Sequence, residues 1–452
     1  MADPVAGDRP QPAAVAPAVR RLFGTDGVRG RVGDVVTPEL ALSLGRAAVA
    51  AAEAERPQVV IVRDTRESGP MLEAALAAGV AAAGGDAYLA GVLPTPAASV
   101  LVRRHGLDLA AVVSASHNPW HDNGIKFFGA NGRKLEDNAE AAIEARLAAG
   151  AAADQVGAIR QLDGALDDYV RELTTAFQLD LSGLRVLLDC ANGATYRAAR
   201  VAFERLGASV ETIADEPDGR NINAGCGSTH IEALAERIVE SNADVGFAFD
   251  GDGDRVLAVD RGGRVRDGDE LVALAARHLG AAGELAGGVA VTVMTNYGFH
   301  TAMAGDGIEV ATTQVGDRYV IEALLERGWT LGGEQSGHVI WTDFAPTGDG
   351  IAAALLVLRA LDGSDFAEVE PFERLAQRLE NLELPDREAL DGATALWDAV
   401  EAESAALEGR GRVLVRPSGT EPLVRIMVEA PGDEECEAVL GRLIEAARRD
   451  LG

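Results

Sequence analysis

Short apolar runs alternate with amphipathic segments along most of the chain. Three runs rich in β-branched residues, at 58–64, 185–189 and 289–293, are each followed by a turn, a helical pattern and a second short strand. An uninterrupted apolar strand is typical of a sheet that is buried on both faces, so each segment predicts a β-α-β unit. Three such units predict three similar α/β domains.

The C-terminal part has a different pattern. Two probable strands at 412–416 and 423–428 flank a turn, and an amphipathic helix follows at 433–449, which predicts a small α+β domain. The first 20 residues are rich in Ala and Pro and lack the apolar core of a signal peptide, so we expect a disordered leader. The predicted segments are the leader 1–20 and four domains at 21–165, 166–268, 269–380 and 381–452.

Composition narrows the classes of function. The net charge of -30 over 452 residues argues against nonspecific binding to nucleic acid, and an anionic substrate would need a local cluster of positive charge. No apolar run approaches the length of about 18 residues that suggests a membrane span. Three widely spaced cysteines predict neither a disulfide framework nor a CxxC metal site, which indicates a reducing cytoplasm.

Only two of the 41 basic residues are lysines, and both lie in one segment rich in Gly and Asn. They are Lys126 and Lys134. A lysine can lose its proton near neutral pH when its surroundings depress its pKa, whereas an arginine cannot. Chance retention of two lysines is the alternative explanation.

One loop carries three carboxylates that alternate with two glycines. Asp250, Asp252 and Asp254 follow an apolar strand at 244–249 and precede another at 256–259. Glycines let the backbone turn tightly, so the three side chains can converge, and such a cluster repels itself unless it holds a cation. Oxygen ligands that leave room for a phosphate oxygen favour magnesium. An acidic surface turn is the alternative.

An EF-hand calcium loop is excluded by two positions. Counting from Asp250, the sixth residue should be Gly and is Arg255, and the twelfth should be Glu and is Arg261.

A second loop carries candidate nucleophiles. Ser114, Ser116 and His117 follow an apolar strand, and Lys126 lies ten residues after Ser116. A serine hydroxyl needs activation, either by a histidine base as in hydrolases or through phosphoryl chemistry beside a metal and a lysine. No G-x-S-x-G elbow surrounds either serine. An ordinary turn serine is the third possibility.

Two further polar loops suit a sugar phosphate. Glu334, Ser336 and His338 stand between glycines and could bind sugar hydroxyls, although a plain polar turn explains them equally well. A later turn offers guanidinium, hydroxyl and backbone amide groups for a phosphate. Its residues are Arg416, Ser418, Gly419, Thr420 and, beyond the turn, Arg425. The chain has neither a Walker A motif nor G-x-G-x-x-G, so no ATP or dinucleotide site is expected.

These four loops, together with the opening segment Phe23–Gly30 (F-G-T-D-G-V-R-G), resemble the α-D-phosphohexomutase family. The five motifs occur in the family's order between Phe23 and Arg425, so the resemblance covers almost the whole chain. It implies four domains around a central cleft, the first three of one α/β type.

The resemblance also implies the roles of individual residues. It implies a phosphoserine at Ser116 and one Mg²⁺ ion held by that group and by Asp250, Asp252 and Asp254. It places Lys126 (as a general acid/base), Arg255 and Arg29 beside the reacting phosphate. It assigns sugar recognition to Glu334, Ser336 and His338. It assigns the phosphate that does not react to Arg416, Ser418, Gly419, Thr420 and Arg425.

Three local sequences are similar to the branch of the family that acts on glucosamine phosphates: F-G-T-D-G-V-R-G, S-A-S-H-N and V-G-D-R. The last contains Asp317, an acidic residue that could favour an ammonium-bearing sugar. This branch implies interconversion of glucosamine 6-phosphate and glucosamine 1-phosphate through a sugar bisphosphate, which also primes the enzyme. It further implies a step toward UDP-N-acetylglucosamine and the bacterial cell wall, and often a homodimer.

Three alternatives stay open at this point. The nearest is the phosphomannomutase/phosphoglucomutase branch of the same family. The others are a metal-dependent phosphohydrolase and a non-catalytic sugar-phosphate binder.

Overall fold

A computed structural model describes residues 22–24, 26–147, 155–384, 387–417 and 422–451. The predicted leader lies outside the described residues, as do Ser418, Gly419 and Thr420 of the predicted phosphate loop. Four sheets define four domains, which we number in chain order.

Domain I is built on a six-stranded sheet with the strand order β1-β5-β4-β2-β3-β6. Its strands are β1 Val28–Arg31, β2 Gln58–Arg63, β3 Asp86–Val92, β4 Leu109–Val113, β5 Asp122–Gly129 and β6 Ile159–Gln161. Its helices are α1 Pro38–Ala51, α2 Gly69–Ala82, α3 Thr95–Arg104 and α4 Asp137–Glu144. Strands β2 and β4 are parallel neighbours and β5 runs antiparallel beside β4. The residues that follow β2 and β4 therefore meet at one edge of the sheet.

Domain II has a five-stranded sheet with the order β11-β10-β9-β7-β8. Its strands are β7 Arg185–Asp189, β8 Ser209–Ile213, β9 Val245–Phe249, β10 Val256–Asp260 and β11 Val265–Arg266. Its helices are α5 Ala165–Phe177, α6 Thr195–Arg205 and α7 Glu232–Glu240. Strands β9 and β10 form an antiparallel hairpin in which Phe249 pairs with Val256. The three-aspartate loop is the connection of this hairpin.

Domain III has a four-stranded sheet with the order β13-β12-β14-β15. Its elements are α8 Gly268–Ala282, β12 Val289–Thr292, α9 Tyr297–Gly305, β13 Val310–Thr313, α10 Asp317–Arg327, β14 Leu331–Gly333, β15 Val339–Trp341 and α11 Gly350–Leu361. The pattern of the third predicted β-α-β unit places its second strand at 308–310, but β13 begins at Val310. The N–H of Ile308 bonds to the carbonyl of Met303 (2.8 Å) and Gly307 has φ +71°, so the chain is still closing helix α9 there.

Domain IV is an antiparallel three-stranded sheet with the order β16-β18-β17, covered by helices. Its elements are β16 Ala376–Glu383, α12 Arg387–Asp391, α13 Thr394–Ala406, β17 Arg412–Pro417, β18 Leu423–Ala430 and α14 Asp433–Leu451. Strands β17 and β18 and helix α14 match the predicted elements, whereas β16 was not predicted. The predicted boundary between residues 380 and 381 falls inside β16.

One hydrophobic core extends through the first three domains, and domain I has a second core under α1 and α2. A single cluster of buried side chains runs from β2 and α3 through α5 and β7 to α8 and α11. Domain IV has a core of its own, formed by α13, β18 and α14. Among the described helices, none combines the length and apolar character needed to cross a bilayer. The shared core packs the three loop-bearing sheets against one another.

Candidate active site

Ser116 follows β4 at the carboxyl edge of the domain I sheet. Its hydroxyl donates a hydrogen bond to Asp250 Oδ2 across the boundary with domain II, at 2.6 Å. The residue is buried and its backbone has φ +49°. A non-glycine residue in this left-handed region costs about 1 kcal/mol or more, so the surrounding structure must hold it there.

The fully buried guanidinium of Arg66 holds the backbone of the serine loop in place. Arg66 donates hydrogen bonds to the carbonyl oxygens of Ser116 (2.9 Å), Asn118 (2.8 Å), Asp122 (3.0 Å) and Pro119. One side chain thus fixes the backbone on both sides of the turn that presents the Ser116 hydroxyl. Sequence reasoning missed this residue.

Asp64 and Asn223 help to hold this loop. Asp64 Oδ2 accepts hydrogen bonds from Arg66 Nε (2.8 Å) and from Ser114 Oγ (2.6 Å). Asn223 Nδ2, from domain II, donates to the carbonyl of Ser116 at 2.9 Å. Asp64 directly follows β2, the parallel neighbour of β4. Its position at the sheet edge shared with the serine loop is the sequence feature that could have identified it as a site residue.

The three carboxylates of the β9–β10 hairpin converge as predicted. Oxygens of Asp250, Asp252 and Asp254 lie within 4.8 Å of one another, and all three residues are buried. Gly253 and Arg255 donate backbone N–H bonds to Asp250 Oδ1 at 3.0 and 3.2 Å, which shapes the loop. Burial, together with repulsion from Asp254 and Asp252, raises the pKa of Asp250 well above its usual value.

This donor set fits a divalent cation. Within the described part of the chain, Oδ1 of Asp252 and Oδ1 of Asp254 are buried without a hydrogen-bond partner. Buried carboxylate oxygens that lack donors are costly unless a cation meets them. Hard oxygen ligands with few neutral carbonyls suit Mg²⁺.

Lys126 projects from β5 toward the same cluster. Its Nζ lies 2.9 Å from Asp252 Oδ2, 3.8 Å from Asp254 Oδ2 and 3.5 Å from Asp26 Oδ2. Burial opposes its charge, but Asp252, Asp26 and Asp254 together raise the pKa of Lys126. Lys126 is therefore protonated in this arrangement. Burial alone would lower the pKa of a lysine, but here the three carboxylates outweigh that effect.

Asp26 lies at the centre of the cationic groups of domain I. It forms ion pairs with Arg29, with Lys126 and, at 2.5 Å, with Lys134 Nζ. Burial opposes ionisation, yet Lys126, Lys134 and Arg29 lower the pKa of Asp26 well below its usual value. Neither Asp26 nor Lys134 was predicted as a site residue, although both lie in segments that the sequence singles out.

Asp317 is the first residue of α10 and faces two basic groups. Its Oδ2 lies 2.5 Å from Lys134 Nζ and 3.7 Å from His338 Nε2. Burial opposes ionisation, but Lys134 and His338 lower the pKa of Asp317 to about 2. The negative charge of Asp317 is therefore already balanced by basic side chains of the protein.

The predicted sugar-recognition loop joins β14 to β15 and adjoins the metal loop. Glu334 Oε1 accepts the backbone N–H of Gly316 at 3.0 Å, and His338 Nδ1 lies 3.7 Å from Asp254 Oδ1. The carbonyl of Gly337 accepts the N–H of Val256 in β10 at 3.0 Å. Glu334 and His338 are buried, whereas Ser336 is exposed.

Positive charge gathers around the Ser116 hydroxyl. His117 Nδ1 lies 3.4 Å from Ser116 Oγ. Partial burial, together with the charges of Arg255 and Arg29, lowers the pKa of His117. Burial opposes the charge of Arg255, but Asp254, Asp250 and Glu334 raise its pKa. Guanidinium groups whose charges act on this histidine and on the metal-loop aspartates suit a phosphoryl group.

Arg416 and Arg425 occupy directly opposed positions on β17 and β18. Partial burial and the nearby charge of Arg425 lower the pKa of Arg416. Like charges at opposed positions of an antiparallel pair destabilise it, so an anion between them would be favourable. Ser418, Gly419 and Thr420, between these strands, belong to the part of the chain that the structure does not describe.

The structure thus groups the predicted residues into three sets. One centre contains Ser116, Lys126, Arg29, Arg255, Asp250, Asp252 and Asp254. Domain III adjoins it with Asp317, Glu334 and His338, while Ser336 lies exposed in the same loop. Domain IV carries Arg416 and Arg425.

Comparison with known proteins bears on the whole chain. Four family models match it in order: phosphoglucomutase/phosphomannomutase alpha/beta/alpha domain I at residues 20–154, domain II at 167–263, domain III at 267–381 and the C-terminal domain at 379–446. The predicted fold, three α/β domains and a small C-terminal domain, is confirmed.

Individual relatives agree. The chain is 49% identical over 435 residues to the phosphoglucosamine mutase of Desulforudis audaxviator, covering 94% of this chain and 97% of that protein. It is 48% identical to the phosphoglucosamine mutase of Nocardioides sp., covering 95% and 99%. The crystal structure of a phosphoglucomutase/phosphomannomutase family protein from Burkholderia thailandensis matches with a TM-score of 0.80 and 26% identity, covering 95% and 97%.

The resemblance inferred from five motifs is therefore confirmed, and the relatives at the highest of these identities are phosphotransferases of the isomerase class. This chain belongs to the phosphoglucomutase/phosphomannomutase family, the α-D-phosphohexomutases.

Proposed function

We propose that this chain interconverts glucosamine 6-phosphate and glucosamine 1-phosphate, as a phosphoglucosamine mutase. The observation that carries the proposal is the position of Ser116 Oγ, 2.6 Å from Asp250 inside a buried cluster of three aspartates. Lys126 forms an ion pair with Asp252, and the charges of Asp252 and Asp254 act on Arg29 and Arg255. A sugar-phosphate binder would need neither a held hydroxyl nor this cluster.

Ser116 would act as a carrier of the phosphoryl group. A free hydroxyl of the sugar monophosphate attacks phosphorus, so a bond from sugar oxygen to phosphorus forms while the bond to Ser116 Oγ breaks. We propose that the protonated Lys126 gives a proton to the serine oxygen as its bond to phosphorus breaks, and that the lysine regains a proton from the attacking hydroxyl. The resulting bisphosphate turns around, and its other phosphoryl group returns to Ser116 by the same step.

The residues around the hydroxyl would share the remaining work. Asp250, Asp252 and Asp254, with an oxygen of the phosphoserine, would hold Mg²⁺. When bound, this ion neutralises charge on the transferring phosphoryl group. Arg255 and Arg29 would bind the same group through charge-assisted hydrogen bonds.

Substrate binding would use the loops of domains III and IV. Glu334, Ser336 and His338 would bind the sugar hydroxyls, and Arg416 with Arg425 would bind the phosphate that does not react. The predicted contributions of Ser418, Gly419 and Thr420 to that phosphate site stay predictions. Because either end of the bisphosphate can occupy either phosphate site, one set of residues serves both half-reactions.

A direct test combines mass analysis with kinetics. The purified protein should carry one phosphoryl group, on Ser116, and Ser116→Ala should abolish isomerisation. Ser364→Ala, at an exposed serine in domain III, is the matched control and should keep full activity. Full isomerase activity in the Ser116→Ala protein would refute the mechanism.

Substrate comparison separates the alternatives. We expect the largest kcat/KM for glucosamine 6-phosphate among the 6-phosphates of glucosamine, mannose and glucose. A strong preference for mannose or glucose would assign the chain to the phosphomannomutase/phosphoglucomutase branch. Release of inorganic phosphate at the rate of substrate loss would indicate a hydrolase.

Further properties belong to the same proposal. We infer priming by a sugar bisphosphate, which would restore activity to protein treated with a phosphatase. We also propose a homodimer, testable by sedimentation, and a cytoplasmic role in supplying UDP-N-acetylglucosamine. Depletion of the protein in its host should then lower the cellular level of that nucleotide sugar.

A further inference from the structure

Alternating charges close a ring through three domains. Asp26 contacts Lys134 at 2.5 Å, and Lys134 contacts Asp317 at 2.5 Å. Asp317 and Asp254 each lie 3.7 Å from a nitrogen of His338. Lys126 closes the ring, 3.8 Å from Asp254 and 3.5 Å from Asp26. We call these six residues the charge ring.

Lys134 is the link of the charge ring between domain I and domain III. Its Nζ meets Asp26 Oδ1 on one side and Asp317 Oδ2 on the other, and its side chain is only 18% exposed. The backbone reverses after β5, through bonds from Gly129 N–H to Arg133 O and from Leu135 N–H to Phe127 O. This reversal holds Lys134 against β5, so its ammonium group has a defined position.

Each end of this link leads to a different part of the active site. On the domain III side, Asp317 begins α10 directly after Gly316, whose N–H is bound by Glu334 of the sugar-recognition loop at 3.0 Å. On the domain I side, Asp26 also pairs with Lys126 and Arg29. Without Lys134, Asp26 and Asp317 would lose the ammonium group that they share, and the repulsion between them would shift the start of α10 and the loop bonded to it.

We infer that Lys134 is a positioning residue, which clasps Asp317 to Asp26 and thereby fixes the distance between the sugar-recognition loop and Ser116. The inference rests on the proposed mutase function. It concerns ion pairs from Lys134 to Asp26 and Asp317, which connect to the metal-loop aspartates through Lys126 and His338.

We call the link from Asp26 through Lys134 to Asp317 the clasp. A different role for Asp317 would be to bind the ammonium group of an amino sugar. A carboxylate already 2.5 Å from a lysine ammonium attracts a second ammonium less strongly. The clasp therefore predicts that losses at Lys134 and Asp317 affect every sugar substrate alike. An ammonium subsite predicts a selective loss for glucosamine 6-phosphate in Asp317→Asn.

The test is a double-mutant cycle of Lys134→Met and Asp317→Asn. The full-length protein is assayed for kcat and KM with glucosamine 6-phosphate and with glucose 6-phosphate, at saturating Mg²⁺ and bisphosphate. We expect each single variant to raise KM about tenfold for both sugars, with a smaller change in kcat, and the double variant to be no worse than either single one. Lys134→Arg keeps the charge and should recover most of the loss. Arg133→Met, at the exposed neighbour, should match the wild type.

Several outcomes would overturn the clasp. They are an unchanged KM in Lys134→Met, effects that multiply in the double variant, or a loss confined to the amino sugar. Thermal unfolding identifies any variant that fails to fold, and Asp317→Asn and Lys134→Arg then decide the question. A wild-type protein with no mutase activity would instead refute the proposed function.

Discussion

Replacing Arg66 with methionine tests how the serine loop is held. The substitution leaves the buried carboxylate of Asp64 without its guanidinium. It also leaves the carbonyls of Pro119 and Asp122 without their Arg66 donor, while Asn223 still reaches the carbonyl of Ser116. The change therefore combines an uncompensated buried charge with a loosened loop.

The two effects have separate magnitudes. Removing one partner of a buried ion pair costs about 3–5 kcal/mol. For a cooperative unit of about 150–250 residues this lowers Tm by roughly 10 °C. A displacement of the Ser116 hydroxyl by about 1 Å costs on the order of 100-fold in kcat. Arg66→Met should show both losses.

A second variant separates them. Asp64→Asn combined with Arg66→Met removes the unpaired charge but does not restore donors to the loop carbonyls. We expect Tm to recover by about half or more while kcat stays low, because stability depends mainly on the charge and catalysis on the held loop. Arg31→Met, at an exposed arginine of the same domain, is the control.

The assays are thermal unfolding by circular dichroism and mutase kinetics on phosphorylated protein. The reasoning is refuted if Arg66→Met keeps kcat within twofold of the wild type. It is also refuted if the double variant regains wild-type kcat, since the loop would then not need the guanidinium.

Two further predictions concern other ionisable groups. Mg²⁺ should raise Tm in the wild type, equivalent to about 2.7 kcal/mol at a hundredfold excess over Kd, and Asp252→Asn should abolish this rise; an equal rise in the variant would contradict the assignment of the metal loop. Burial and the nearby Asp267 raise the pKa of Asp269 to about 7. Between pH 4 and pH 7 the folded chain therefore holds a proton that the unfolded chain releases. The free energy of unfolding falls as pH rises through that window, by up to ~4 kcal/mol. The Tm of Asp269→Asn relative to wild type should therefore increase from pH 4.5 to pH 8, and a difference that does not change with pH would contradict it.

The sequence predicted best the features that depend on local pattern. The runs that became β2, β7 and β12 have buried apolar centres (V-V-I-V, V-L-L and V-A-V), and the hairpin around Asp250 is framed by two further apolar runs. Strand β16 was missed because most of it is partly or fully exposed, so its residues A-Q-R-L-E-N-L-E show no clean alternation.

Within the site, the sequence identified residues that gather in short motifs but not those that act through distant partners. Asp64 and Arg66 lie far from Ser116 in the chain, and only the pairing of β2 with β4 brings them beneath it. Lys134 was noticed as a rare lysine, but its contact with Asp317 spans 183 positions. The first contact depends on how strands pair within a sheet and the second on how two domains pack, and a local pattern encodes neither directly.

The charge ring has a consequence for how the domains assemble. Domain I contributes Arg29, Lys126 and Lys134 against one aspartate, whereas the hairpin of domain II contributes three aspartates. Each domain alone would therefore present a net charge at its sheet edge, positive on domain I and negative on domain II, and docking would offset the two. The overall charge of the chain is strongly negative, so most of its other surfaces repel the three aspartates of domain II. The positive edge of domain I attracts them, which favours correct docking of the two domains during folding.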